Sequence, residues 1–244
     1  MAAWGAPFYR DPMRTIGLIG GISWVSTRHY YELVNKDVAT RLGGDHCARI
    51  VLWQEDFATL TAYQRASAWD AIGVVLAGGA RALVNAGADV IAIGANSMHL
   101  VADRVAEASS PVPIVHIVDV VRAACQRLGV TSVGLLGTTY VMESTTLYPP
   151  RLGAAGIEVL VPDADDRRAI QEHTFAELIQ DVVTDRARER FTSAAATMIG
   201  RGAQAIVLAC TEHGMVLRDG DLVVPVIDST IAHAAALVDA SLAT

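Results

Sequence analysis

Cysteine is scarce in this chain of 244 residues, with only Cys47, Cys125 and Cys210. Their spacing shows neither Cys-x-x-Cys nor any pairing, which argues against a disulfide framework or a structural zinc centre and fits a reducing cytoplasm. No segment approaches the ~18 consecutive apolar residues of a membrane helix. The opening M-A-A-W-G-A-P-F-Y-R-D-P lacks the apolar stretch of a signal peptide and carries Pro7 and Pro12, so residues 1–12 read as a flexible extension, with Met13 an alternative start. Positive charge is also in short supply: 19 Lys and Arg stand against 26 Asp and Glu, a formal net charge of -7. That balance disfavours nucleic acid as a partner and leaves a small molecule as the default ligand. Neither G-x-G-x-x-G nor G-x-x-x-x-G-K-[ST] occurs, so no phosphate-binding loop is predicted. His99, His116, His213 and His233 show neither H-x-x-x-H nor H-E-x-x-H spacing, and no metal or other cofactor is expected.

What is present centres on Ile206 to Gly214, I-V-L-A-C-T-E-H-G. Ile206, Val207 and Leu208 form an apolar run too short for a helix, as in a strand buried on both faces. Ligands of such sheets sit at the carboxyl ends of the strands, where Cys210 stands. Backbone N–H groups near Thr211 and Glu212 are expected to favour its thiolate, the form that acts as base or nucleophile. A lone cysteine is more often a small buried apolar residue. A second copy of the stretch weighs against that bland reading. Gly87 to Ser97 (G-A-D-V-I-A-I-G-A-N-S) aligns without a gap on Gly202 to Glu212 (G-A-Q-A-I-V-L-A-C-T-E), and Ala95 falls opposite Cys210. V-G-L-L-G at Val133 to Gly137 echoes I-G-L-I-G at Ile16 to Gly20, and Val224 to Ile227 echoes Val112 to Val115. An internal repeat of this kind predicts two equivalent lobes.

The pattern predicts strands at Thr15 to Ile19, Arg49 to Trp53, Val90 to Ile93 and Pro113 to Ile117 in lobe one, and at Ser132 to Leu136 and Ile157 to Val161 in lobe two besides Ile206 to Leu208. Helices are predicted from Ser26, and over Asp70 to Ala86, Val118 to Leu128, Ala187 to Arg201 and Ser229 to Leu242. Ser26 is the expected cap of the first helix, with Ser23 nearer the strand end. Pro162 to Arg168 reads as a charged, solvated loop before a helix. The fold class is therefore α/β, with two pseudo-symmetric doubly wound parallel-sheet lobes and an active-site cleft between them. Lobe one is expected to comprise residues 13–118 plus 229–244, and lobe two residues 119–228. Asn96 and Ser97 are expected to hold a carboxylate through an amide and a hydroxyl while also capping the next helix.

Four stretches, I-G-L-I-G-G-I-S-W-V-S-T (Ile16 to Thr27), A-N-S-M-H (Ala95 to His99), L-L-G-T-T-Y-V-M-E (Leu135 to Glu143) and A-C-T-E (Ala209 to Glu212), resemble the aspartate/glutamate racemases, in particular the bacterial type with broad or L-aspartate/L-glutamate preference. The resemblance runs over nearly the whole chain from Met13. It implies a cofactor-independent isomerase of amino-acid metabolism, with one acid/base from each lobe flanking the substrate α-carbon. Cys210 is the expected catalytic group. Asn96, Ser97, Thr138, Thr139 and Thr211 are expected to bind the substrate, an amino acid or dicarboxylate. Tyr140, Ser23 and Gln54 complete that set, and a homodimer is compatible with it. The family pattern has cysteine or threonine where this chain has Ala95, and a methyl group can neither take nor give a proton. The resemblance also extends to arylmalonate-type decarboxylases, which need a single cysteine in the second lobe. A weakly active amino-acid-binding protein is the third alternative.

Overall fold

The computed structural model describes residues 13–243. The expected extension, residues 1–12, lies outside the described residues. The first lobe is a parallel sheet of β1 (Ile16–Gly20), β2 (Ile50–Gln54) and β3 (Val90–Ile93) in the order β2-β1-β3. Its helices are α1 (Trp24–Leu42), α2 (Phe57–Arg65), α3 (Trp69–Asn85) and α4 (Ala102–Ser109), and α5 (Ile117–Leu128) leads on to the second sheet. That sheet contains β4 (Ser132–Gly137), β5 (Glu158–Leu160), β6 (Ala205–Ala209) and β7 (Val226–Asp228), all parallel in the order β5-β4-β6-β7. Helices α6 (Thr139–Met142), α7 (Tyr148–Gly153), α8 (Ala164–Ala176), α9 (Asp185–Gly200) and α10 (Ser229–Leu242) complete the chain. In both lobes the first strand of the repeat is central and its third strand is a neighbour, so the sequence repeat is also a repeat of topology.

The strands are apolar on both sides because each sheet separates two cores. Ile19 and Ile93 pack toward α3, whose Ile72, Leu76, Ala80 and Leu83 recur at helical spacing. Ile16 and Leu18 face the other way, onto Tyr30, Val34 and Val38 of α1 and Leu237 and Val238 of α10. In the second sheet Val133, Leu135 and Val207 join α5 through Val118, Val121 and Cys125, while Leu136, Ile206 and Leu208 pack on Phe191, Ala194 and Met198 of α9. Cys125 is thus a buried apolar residue of the core.

Three local expectations are corrected. The strand predicted at Pro113 to Ile117 shrinks to a single bridge, Ile91 with Ile114. The Ile91 N–H donates to the Pro113 carbonyl at 2.8 Å and the Val115 N–H to the Ile91 carbonyl at 3.0 Å. Pairing stops there because His116 turns the chain into α5, its ring accepting from the Val118 N–H at 3.2 Å. Ser23, not Ser26, caps α1: its hydroxyl accepts from the Val25 and Ser26 N–H groups at 3.2 and 3.4 Å, while Ser26 sits inside the first turn. In the segment read as a solvated loop, Asp163 is the N-cap of α8 and the helix begins at Ala164. Helix α2 was not expected, although Asp56 caps it by accepting from the Ala58 N–H at 3.2 Å.

Candidate active site

The carboxyl ends of β1, β3, β4 and β6 point at one another. In lobe one, Gly20 is followed by Gly21, whose φ of 80° and close approach to Glu55 suit glycine alone: a Cβ there would sit 2.6 Å from the Glu55 carbonyl oxygen. The turn it makes delivers Ile22 and Ser23. Beyond β3 come Ala95, Asn96 and Ser97, beyond β4 Thr138, and beyond β6 Cys210, Thr211 and Glu212. All of these line one cavity of about 40 Å³. Phe57 and Gln64 from α2, and Thr174, Phe175 and Ile179 from the end of α8 and the turn after it, close its remaining walls.

The ionisable part of the cavity is a compact network. The Cys210 thiol donates to Glu212 Oε2 at 3.3 Å, and the Thr211 hydroxyl donates to the same oxygen at 2.6 Å. Ser23, reaching across from the other lobe, donates to Glu212 Oε1 at 2.8 Å. Cys210 is 7% exposed and Glu212 3%. Burial, and next the negative charge of Glu212, push the Cys210 thiol well above its usual range. The expectation of a favoured thiolate is thereby corrected: desolvation and a neighbouring carboxylate outweigh the backbone donors. Cys210 rests as a thiol hydrogen-bonded to a ready acceptor.

On the lobe-one side the cavity is polar but not ionisable. Ala95 is 4% exposed and its methyl occupies the position equivalent to Cys210. The Ala95 carbonyl accepts from His99 Nδ1 at 2.8 Å, and His99 Nε2 accepts from the Ile117 N–H at 3.2 Å. Asn96 is held from both ends: its Oδ1 accepts from the Tyr148 hydroxyl at 2.6 Å and its Nδ2 donates to the Ser229 hydroxyl at 2.9 Å. No side-chain capping bond forms at the short 3₁₀ turn Ser97–Val101, so the expected capping role of Asn96 is replaced by this buried brace. Ser97 accepts from Gln64 Nε2 at 3.3 Å, and the Thr138 hydroxyl has no partner among the described residues.

Of the residues expected to bind substrate, Ser23, Asn96, Ser97, Thr138 and Thr211 line the cavity together with Cys210. Gln54, Thr139 and Tyr140 do not. Gln54 is exposed beside the Gly21 turn. The Thr139 N–H donates to Gln171 Oε1 at 2.9 Å, and Tyr140 packs edge-on against Trp69 at 5.8 Å. Sequence reading missed Glu212 as a side chain, although a carboxylate two residues beyond a candidate acid/base was a usable signal. It also missed Gln64, for which no local signal exists because α2 meets Ser97 only through the tertiary fold.

A larger cavity of about 720 Å³ shares only Thr211 with this one. It is bordered by both signs of charge, among them Arg28, Glu32, Asp181 and Arg218. Size alone would favour it, but it holds no cysteine and, among the described residues, no unpartnered buried polar side-chain atom. The smaller cavity is therefore the candidate active site. Among the described residues no three His, Cys, Asp or Glu side chains gather in a group that could hold a metal ion, and no helix is long and apolar enough to cross a membrane.

Comparison with known proteins places this geometry. A crystal structure of a Yersinia pestis protein assigned as an Asp/Glu racemase is 36% identical, covering 95% of this chain and 100% of its own, with a TM-score of 0.86. An aspartate racemase homologue from Pyrococcus horikoshii OT3 is 29% identical over 94% of this chain and 99% of its own, with a TM-score of 0.79. The aspartate racemase of Picrophilus torridus shares the fold at 24% identity and a TM-score of 0.73, covering 93% of this chain and 94% of its own. The model of the Asp/Glu/Hydantoin racemase family matches residues 19–237. Two parallel-sheet lobes with a thiol at the end of β6 thus belong to a racemase, an isomerase, and the chain is a member of the Asp/Glu/Hydantoin racemase family.

Proposed function

We propose that the protein racemises aspartate- or glutamate-like amino acids without a cofactor, by removing and returning the proton on the α-carbon, with Cys210 as the acid/base for one face. The observation that carries this reading is the Cys210–Glu212 pair, buried in a cavity formed by the strand ends of both lobes. The acidic substrate class is supported by the aspartate racemases and their homologues among similar structures. In the proposed cycle the thiol proton passes to Glu212 Oε2, and the resulting thiolate takes the α-proton. The electron pair left on the α-carbon spreads into the substrate carboxylate, and the hydroxyls of Ser97 and Thr138 are suited to donate to that growing charge. A proton from solvent, entering on the Ala95 side, arrives on the opposite face. Glu212 then releases the proton it took, which closes the balance. A cavity of about 40 Å³ holds only a few water molecules, each needing ~10–15 Å³. Substrate must therefore part the walls, with Phe57, Phe175 and Ile179 the side chains to be moved.

Ala95 favours a second reading. With one thiol, a substituted malonate could lose carbon dioxide, leaving the bonding electrons on the α-carbon for Cys210 to protonate. Purified, chelator-treated protein incubated with each enantiomer of aspartate and glutamate, followed by chiral chromatography, tests the first reading. Appearance of the opposite enantiomer with wild type but not with Cys210→Ser is expected. No inversion, together with carbon dioxide release from an arylmalonate, would transfer the assignment to the second.

A further inference from the structure

Two buried polar atoms that line the cavity have no hydrogen-bond partner among the described residues, Thr138 Oγ1 and Gln64 Oε1. They are not equivalent. A threonine hydroxyl can turn its hydrogen toward a carboxylate, whereas a carboxamide oxygen can only accept. Gln64 is 3% exposed, and its Nε2 is engaged by Ser97 Oγ at 3.3 Å. A buried acceptor with no donor is costly, and Gln64 on α2 forms part of the cavity wall. The other carboxyl and amide oxygens there already receive donors. Glu212 receives Ser23 on one oxygen and Thr211 and Cys210 on the other, and Asn96 Oδ1 receives Tyr148. Among the groups common to every amino acid, the carboxylate only accepts and the ammonium only donates.

We propose that Gln64 is a substrate-binding residue whose carboxamide oxygen receives the α-ammonium group of the bound amino acid. The proposal rests on the racemase reading of this cavity. Its geometry assigns the two ends of the amide different tasks. Because Nε2 donates to the Ser97 oxygen, the Ser97 hydrogen is free to point at the substrate carboxylate, while Oε1 takes the ammonium. Carboxylate and ammonium would then be fixed on adjacent partners, which orients the α-carbon hydrogen relative to Cys210. Gln64 so placed makes the site select amino acids over the corresponding carboxylic acids.

Binding, rather than turnover, is the readout. Calorimetry on wild type, Gln64→Leu and Gln64→Glu would compare three amino acids with their des-amino counterparts: glutamate with glutarate, alanine with propionate, and phenylalanine with 3-phenylpropionate. Wild type should prefer at least one amino acid over its partner. Gln64→Leu should lose that preference by roughly tenfold or more, the scale of a hydrogen bond to a charged group, while binding the des-amino acid unchanged. Gln64→Glu keeps an acceptor of the same reach and should retain the preference, which also separates lost recognition from lost folding. An unchanged preference in a folded Gln64→Leu protein overturns the role given to Gln64 while leaving the racemase reading intact. Equal weakening of both ligand classes by Gln64→Leu also overturns it, since that is what a free N–H facing the cavity would produce. If wild type binds none of the amino acids, both readings fall together.

Discussion

The two lobes end equivalent strands in different ways. Beyond β3 the side chains of Asn96 and His99 beside Ala95 are tied into the scaffold: Asn96 to Tyr148 and Ser229, and His99 to the Ala95 carbonyl and the Ile117 N–H. Beyond β6 the groups are ionisable and bound to one another, Cys210 and Thr211 to Glu212. The backbone repeat is kept in both while the ionisable side chains are concentrated in one, which teaches that the repeat specifies where a reacting group would stand and not whether there is one. Ser23 is the exception on the lobe-one side, since it joins the lobe-two network by donating to Glu212 at 2.8 Å.

The largest expected consequence of this asymmetry is kinetic. Cys210→Ser should reduce turnover by about 10³-fold, within the range for loss of a positioned acid/base, whereas Ala95→Ser at the equivalent position should change it by less than tenfold. Comparable losses at both positions would erase the distinction between lobes. Glu212→Gln removes the charge and keeps one acceptor oxygen, so that either Ser23 or the Cys210 and Thr211 pair loses its acceptor, and should cost about 10²-fold in kcat. It should also move the pH profile of Cys210 alkylation. Burial and the Glu212 charge raise the thiol, so deleting the charge lowers it, and alkylation should set in at lower pH than in wild type. An unshifted profile contradicts the coupling. Iodoacetamide should reach the exposed Cys47 first in either protein, ahead of the buried Cys125 and Cys210.

A third test concerns stability on the lobe-one side. Burial lowers His233 to about 4 and His116 to about 4, and pushes His99 far down as well. These rings accept hydrogen bonds in their neutral form: His233 Nδ1 from Tyr30 at 2.8 Å and His99 Nε2 from Ile117. The unfolded chain takes up these protons near pH 6.5, whereas the folded one does so only near 4 at His116 and His233 and well below 6.5 at His99, so stability is complete above 6.5 and falls as pH drops toward 4. For His233 alone the loss is on the order of 2–3 kcal/mol. Denaturant titrations at pH 7 and 4.5 should show it, and His233→Gln should reduce the difference. Equal stability at the two pH values would remove the neutral cluster from the account.

Most of the fold was legible in the sequence because the repeat and the apolar strand runs are local signals. Val90–Ile93 and Ser229–Leu242 fall where the pattern puts them. The strand at Pro113 to Ile117 failed because an apolar run carries no information about where His116 will start a helix. Of the cavity lining, Cys210, Asn96, Ser97, Thr138, Thr211 and Ser23 could be read from their places at strand ends. The state of the thiol could not, since it depends on burial and on the side chain of Glu212. Gln54, Thr139 and Tyr140 follow the strand ends along the chain but do not line the cavity: Gln54 is exposed, the Thr139 N–H binds Gln171 and Tyr140 packs on Trp69.

The comparison can also be sharpened by restoring what lobe one lacks. Ala95→Cys should raise racemisation by about tenfold or more, measured as inversion of either enantiomer, and a folded variant without gain would show that position 95 does not face the reacting carbon. The smallest effect is expected at the surface. Arg28 on α1 pairs with Asp181 of the second lobe at 2.9 Å, both half-exposed. Arg28→Ala should cost less than about 1 kcal/mol, and a larger loss in denaturant titration would make this pair a real tie between lobes.

The most direct test of the unequal-lobe account is exchange of the α-proton in heavy water, followed by mass spectrometry and chiral chromatography from each pure enantiomer of the turned-over amino acid. One enantiomer should exchange its proton faster than it inverts, because Cys210 reaches its α-hydrogen directly, while from the other every inversion should be matched by deuterium uptake and exchange without inversion should be slight. Cys210→Ser should abolish the fast exchange. Equal exchange and inversion rates from both enantiomers in wild type, or fast exchange surviving in Cys210→Ser, would contradict the claim that the chemistry resides in the second lobe.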